Sequence, residues 1–199
     1  MRVLDHEQGT QEWLTSRLGC PSGSGFDKII TSTGKPSTQS EGYINQLIAE
    51  LITGKPTEFR VTEAMERGTE LEPMAREFYE LASGNEVQEV GFCLHDSLRC
   101  GVSPDGMTED GGLEIKCPAP HNHVAYLREG KLPTKYKQQV MGCLWVTGRD
   151  WWDFVSYHES MPALIVRVHR DEDYINALAN EVAKAVDTIE SEVNRLKEM

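Results

Sequence analysis

Residues 103–118 read SPDGMTEDGGLEIKCP, and their spacing governs how the rest of the chain is read. Segment 112–116, GLEIK, alternates apolar and charged residues as a half-buried strand does. Successive side chains of a strand face opposite ways, so Glu114 and Lys116 share one face while Leu113 and Ile115 point into a core. The turn GMTEDGG joins this strand to RCGVS (99–103), which predicts an antiparallel hairpin. Asp105 then ends the neighbouring strand, and the hairpin brings one Asp, one Glu and one Lys to one edge. Two carboxylates that close repel each other and call for a cation, and hard oxygen ligands select Mg²⁺ or Mn²⁺. A metal-bound water loses its proton more readily. Lys116 could orient that water and offset charge on a phosphate. Taken alone, these residues also suit a plain charged surface hairpin. A calcium loop is excluded, because the twelfth position counted from Asp105 is Lys116, where a bidentate Glu is required.

Around this segment the patterns predict helices at 9–18, 43–54, 62–83, 135–147 and 173–198. Strands are predicted at 89–95, 99–103, 112–116, 152–158 and 163–169. Thr62 reads as an N-cap and Gly84 as a stop for the third helix, with Met65, Leu71, Met74, Phe78 and Leu81 on its apolar side. The last helix keeps Ile175, Leu178, Val182, Ile189 and Leu196 on one side, with Val186 and Val193 beside them. The order predicts one α/β (α+β) domain over 1–199, a mixed central sheet flanked by helices. Within it, 1–60 forms an N-terminal helical part, 61–170 a catalytic core and 171–199 a C-terminal helix.

The chain of 199 residues suits one domain with a full core. The five cysteines, at 20, 93, 100, 117 and 143, are odd in number and lack Cys-x-x-Cys spacing, so they read as reduced, mostly buried thiols. With neither an apolar run long enough for a membrane span nor a signal peptide, the expected location is cytoplasmic. The net charge of −12 argues against a generally basic, nucleic-acid-coating surface. Basic residues do cluster in YLREGKLPTKYK (126–137), where Arg128, Lys131, Lys135 and Lys137 could line one groove.

SPDGMTEDGGLEIKCP also resembles the active-site segment of the PD-(D/E)XK nucleases, above all the phage lambda exonuclease, or YqaJ-type, recombinase family. Three further segments match in order: GTQEWLTSRLGCPSGS (9–24), RGTELEPMAREFYELASG (67–84) and YKQQVMGCLWVTGRDWWDFVSY (136–157). The resemblance implies a restriction-endonuclease-like core. It assigns Asp105, Glu114 and the carbonyl of Ile115 to a Mg²⁺ site, with Mn²⁺ as a substitute, and Lys116 to the nucleophilic water. Glu72 and Gln139 complete the catalytic set, with Gln138 adjacent. Arg17, Ser24 and Ser103 match positions that bind a DNA 5′ phosphate. The family's additional arginine has no counterpart here: Asn122 stands in its place, between His121 and His123, either of which could substitute. The His-Asn-His letters at 121–123 do not make a His-Asn-His nuclease, whose motif is spread over a larger unit. Glu109 and Asp110 remain turn residues.

The resemblance further implies 5′→3′ digestion of linear double-stranded DNA to mononucleotides and a 3′ single strand, for phage-type recombination. It implies a homotrimeric ring around DNA, whose channel Arg128, Lys131, Lys135 and Lys137 would help line, and a single-strand annealing protein as partner. The alternatives are a structure-specific endonuclease on the same fold and a non-catalytic DNA-binding protein.

Overall fold

In a computed structural model, which describes residues 1–57 and 62–199, a four-stranded mixed sheet lies at the centre. Its strands are β4 (Gly106–Met107), β5 (Gly111–Lys116), β6 (Trp151–Ser156) and β7 (Leu164–His169), adjacent in that order. β5 runs antiparallel to β4 and parallel to β6, and β7 returns antiparallel to β6. A smaller antiparallel sheet comprises β1 (Arg2–Leu4), β2 (Phe92–Leu94) and β3 (Gly101–Val102). The helices are α1 (Gln11–Ser16), α2 (Ser40–Thr53), α3 (Glu63–Ser83), α4 (Pro120–Glu129), α5 (Lys137–Thr147) and α6 (Glu172–Lys197). The boundary expected near 60/61 lies outside the described residues.

The predicted hairpin is corrected in its pairing. Segment 99–103 does not pair with 112–116: β3 joins β2 in the small sheet, and β5 takes the two-residue β4 as its antiparallel neighbour. Pro104 supplies no N–H to a ladder and separates the two short strands. Asp105 therefore sits on the crossover between the sheets, immediately before β4. The turn closes within Thr108–Gly111, where Thr108 N donates to Gly111 O and Gly111 N donates to Thr108 Oγ1, both at 3.0 Å.

The capping expectations for α3 hold: Thr62 Oγ1 accepts from Met65 N at 3.3 Å, and Gly84 takes φ +72°. Its apolar side differs from the prediction. Ala75 and Tyr79 are fully buried against Leu113, Ile115 and Val155, whereas Met65, Met74 and Phe78 are exposed and Leu81 is 82% exposed. The contact is narrow because Tyr79 reaches through it to Asp153 on β6, its hydroxyl donating to Oδ2 at 2.8 Å. Arg167 on β7 grips the same carboxylate through two bonds of 2.9 and 2.8 Å. These bonds tie α3 to the sheet along its Ala75–Tyr79 edge, and the longer apolar side chains lie outside that contact.

The main core lies among α2, α5 and α6. Phe26 is seated against Gly142, where a Cβ would come 2.5 Å from the ring, so the close approach of α5 to the 3-10 turn 23–28 requires glycine. In α6, Ile175, Leu178, Val182, Val186, Ile189 and Val193 are buried, but Leu196 is 37% exposed where the helix outruns the core. Fully burying each such side chain contributes about 1.5–3 kcal/mol. Three elements escaped the sequence reading, among them the two-residue β4 inside the predicted turn. β1 is only three residues long, and α4 begins at Pro120 and mixes His, Asn and Arg without a clean apolar stripe. All five cysteines are free, four of them buried and Cys117 half-buried. Among the described residues, no helix is long and apolar enough to cross a membrane.

Candidate active site

At the C-terminal end of β5 a cleft of about 460 Å³ opens between α3, α4 and the 3-10 turn 134–136. Glu72, Asp105, Ile115, Lys116, Asn122 and Lys135 help line it. Glu114 lies beneath, fully buried, with the Lys116 ammonium against its Oε1. The same ammonium is 4.0 Å from Asp105 Oδ2. Strand alternation thus does put Glu114 and Lys116 on one face, and the crossover brings Asp105 to them.

Asp105 Oδ2 accepts the Ile115 amide at 2.6 Å, which pins the crossover to β5. The N–H and C=O of a strand residue project on the same side, so the Ile115 carbonyl faces the Asp105 side as well. Glu72 arrives from α3 and is paired with Arg76 at 2.7 Å. Arg76 also donates to the Asp105 carbonyl at 3.2 Å and lies 3.0 Å from Glu89. Sequence reasoning missed Arg76, although its place four residues after Glu72 marks it as a helix-face partner of that carboxylate.

The Glu114 pKa is pushed up to about 8, by burial first and by Asp105 and Glu72 after it, with Lys116 opposing. That of Glu72 rises to about 7, again through burial first and then Asp105, against Arg76 and Lys116. Burial works against the charge on Lys116, but Glu114 and Asp105 outweigh it and hold the lysine protonated. Glu114 Oε2 is buried without a hydrogen-bond partner. A fully buried carboxylate with an unpartnered oxygen, next to a second carboxylate and a strand carbonyl, fits a hard divalent cation. Among the described residues no group of three or more His, Cys, Asp and Glu side chains is placed to hold a metal ion by itself.

The remaining predicted residues fall elsewhere. Arg17 stacks over Trp13 at 4.0 Å and Phe92 at 5.3 Å, and donates to Ser22 Oγ at 3.0 Å. Ser22 forms a parallel bridge with Gly101, so Ser24 and Ser103 each follow that bridge by two residues. Ser24 is exposed, while Ser103 Oγ and Trp13 Nε1 are buried without partners. Gln138 is buried and donates to the Ile30 carbonyl at 3.2 Å. Gln139 is half-buried, packed near Gly23 and outside the cleft lining. His123 is fully buried between Ser156 Oγ at 2.7 Å and the Pro162 carbonyl at 2.9 Å. A carbonyl only accepts, so Nε2 carries a proton, and the ring is a structural clasp between α4 and the β6–β7 connection. His121 is exposed. Of the four basic candidates, Lys137 pairs with Asp171 at 3.1 Å and Lys131 lies 3.8 Å from Glu129. Arg128 is exposed on α4. Only Lys135 lines the cleft.

A mixed sheet that gathers Asp105, Glu114 and Lys116 at one strand end, with Glu72 from a flanking helix, has the architecture of the PD-(D/E)XK exonucleases. Residues 12–150 match the model of the YqaJ-like viral recombinase domain, and the chain belongs to that family. Its fold matches the alkaline exonuclease LHK-Exo from Laribacter hongkongensis with a TM-score of 0.87 at 34% identity, covering 95% of this chain and 97% of that one. A complex of LHK-Exo with dAMP matches at 0.85, with the same identity and coverage. A phage-related exonuclease from Haemophilus somnus 129PT shares the fold, at TM-score 0.69 and 15% identity, over 89% of this chain and 96% of that one. No curated protein sequence shows significant similarity to the chain.

Proposed function

We propose that this chain is a Mg²⁺-dependent exonuclease that digests linear double-stranded DNA from its 5′ ends, releasing mononucleotides and leaving a 3′ single strand. The observation that carries the proposal is the convergence of Asp105, Glu114 and Lys116, with a buried Glu114 oxygen that no protein donor satisfies. The named relatives, an alkaline exonuclease and its dAMP complex, support the reaction class.

Asp105, Glu114 and the Ile115 carbonyl would hold Mg²⁺, or Mn²⁺ in its place. When bound, the ion supplies Lewis acidity toward the phosphate and a more acidic water. Lys116, kept cationic by its carboxylate neighbours, orients the attacking water and offsets negative charge on the phosphate. Glu72 supports the cluster from α3, and Gln139 would complete the catalytic set. Arg17, Ser24 and Ser103 would bind the 5′ phosphate: Arg17 is held in place by Trp13 and Ser22, and the Ser103 hydroxyl has no protein partner to give up. In this reading the active assembly is a homotrimeric ring that works in the cytoplasm beside a single-strand annealing protein. A ring places the acidic surface outside and the basic segment toward DNA.

Incubating 5′-phosphorylated linear, 5′-hydroxyl linear and closed circular duplexes with Mg²⁺ or with EDTA tests metal need, end need and polarity together. Mononucleotide release from the phosphorylated linear duplex, in Mg²⁺ alone, is expected. Cleavage of the circle would replace the exonuclease by an endonuclease on the same fold. A solution mass showing only monomer at working concentration would remove the ring.

A further inference from the structure

We infer that Lys135 is a substrate-binding residue of the active cleft, its ammonium contacting a DNA strand phosphate next to the Asp105–Lys116 cluster. The inference rests on the nuclease reading above and assigns a specific contact within it.

Four observations carry it. Lys135 lines the same cleft as Glu72, Asp105 and Lys116, whereas Arg128, Lys131 and Lys137 do not. Among the described residues no carboxylate lies within salt-bridge distance of its Nζ, while Lys116, Lys131 and Lys137 are all paired. It is a held cation rather than a waving one: Nζ stands 4.8 Å from the Tyr136 ring centroid and 5.5 Å from that of Tyr126. Tyr136 itself packs, tilted, against buried Phe154 at 5.2 Å, with the Lys116 ammonium 5.7 Å from its ring centroid. Finally, the cleft needs such a group. Its other lining residue toward α4 is the neutral Asn122, and His123 is consumed by Ser156 and the Pro162 carbonyl.

The charge count gives the ligand. Glu72, Asp105 and Glu114 offer three carboxylates, and Arg76 and Lys116 are already engaged with them. A polyanion seated in this cleft gains from a further cation that no protein carboxylate engages. The ammonium, held beside the Tyr126 and Tyr136 rings and engaged by no carboxylate, has a donor to turn toward the cleft, and a phosphate is the anion that the proposed substrate brings. Partial burial works against the charge on Lys135, but the neighbouring Tyr126 and Tyr136 hydroxyls outweigh it, so the lysine remains protonated in the neutral range.

The test measures binding of a fluorescent 5′-phosphorylated duplex in EDTA, which separates affinity from cleavage, over a series of salt concentrations. Lys135→Gln is expected to weaken binding about 10-fold. It should also lower the slope of log affinity against log salt by about 0.7–0.9, the signature of one lost phosphate contact. Lys135→Arg should keep the slope, and Lys184→Gln, at an exposed lysine of α6, should change affinity less than twofold. If Lys135→Gln leaves affinity and slope unchanged while wild type digests DNA, this inference fails and the nuclease reading stands. If wild type neither binds nor digests duplex DNA, both fail.

Discussion

Replacing Glu114 by Gln removes the charge that the fold buries deepest. In the metal-free protein the Glu114 pKa is about 8, against an ordinary carboxylate value of 4.5. The folded chain therefore binds this proton more tightly than the unfolded one, and stability falls as pH rises between the two values. Linkage over this shift makes the folded state less stable at pH 8.5 than at pH 5.5 by something on the order of 3 kcal/mol. Glu114→Gln lacks that titration. Any constant cost of seating the amide cancels when the two pH values are compared. Thermal melts in EDTA should show the variant gaining on wild type by about 3 kcal/mol from pH 5.5 to 8.5, roughly 6–12 °C in Tm for a chain of this size. Added Mg²⁺ should restore wild type at pH 8.5 and leave the variant unmoved, because ion binding to the folded state alone stabilises it. A variant-to-wild-type gap that does not change with pH would refute the buried-charge argument. Equal Mg²⁺ responses would refute the ligand assignment.

Further outcomes follow from neighbouring contacts. Lys116→Ala should abolish Mg²⁺-dependent digestion; a rate equal to wild type would remove Lys116 from the catalytic set. Arg76→Ala frees Glu72 and the Asp105 backbone and should lower kcat about 10- to 100-fold with little change in KM for DNA. Steady-state kinetics on one duplex check this split. Gly112→Ala would place a Cβ 2.4 Å from the fully buried Trp152 ring and should cost about 1–3 kcal/mol in urea unfolding. Leu81→Ser, at a position 82% exposed, should stay within about 0.5 kcal/mol of wild type, and a larger loss would contradict the observed facing of α3.

Local chemistry made part of this protein legible in its sequence. Period-two alternation placed Glu114 and Lys116 on one strand face, because side-chain direction in a strand is fixed by the backbone. Thr62 and Gly84 bounded α3 because a cap's hydrogen bond and a left-handed φ are decided within a few residues. The run Ile175–Val193 set the buried face of α6 for the same reason: a long helix with one stripe has one way to cover a core. The four ordered segments around Arg17, Glu72, Asp105 and Gln139 pointed to the recombinase family, to which residues 12–150 belong.

Tertiary structure decided whatever depended on long-range partners. Strand propensity at 99–103 and 112–116 could not reveal that Pro104 divides them between two sheets, since pairing is a choice among distant edges. The hydrophobic periodicity of α3 could not show which face is inside, because its buried edge is set by partners such as Asp153, bonded to Tyr79 from 74 positions away in the chain. Arg76 and Lys135 acquired their places only when the cleft formed around them, and His123 lost its availability to Ser156, 33 residues away. Sequence fixes the direction of a side chain along its own element; which charges it then meets, and whether water reaches them, is settled by how the elements pack.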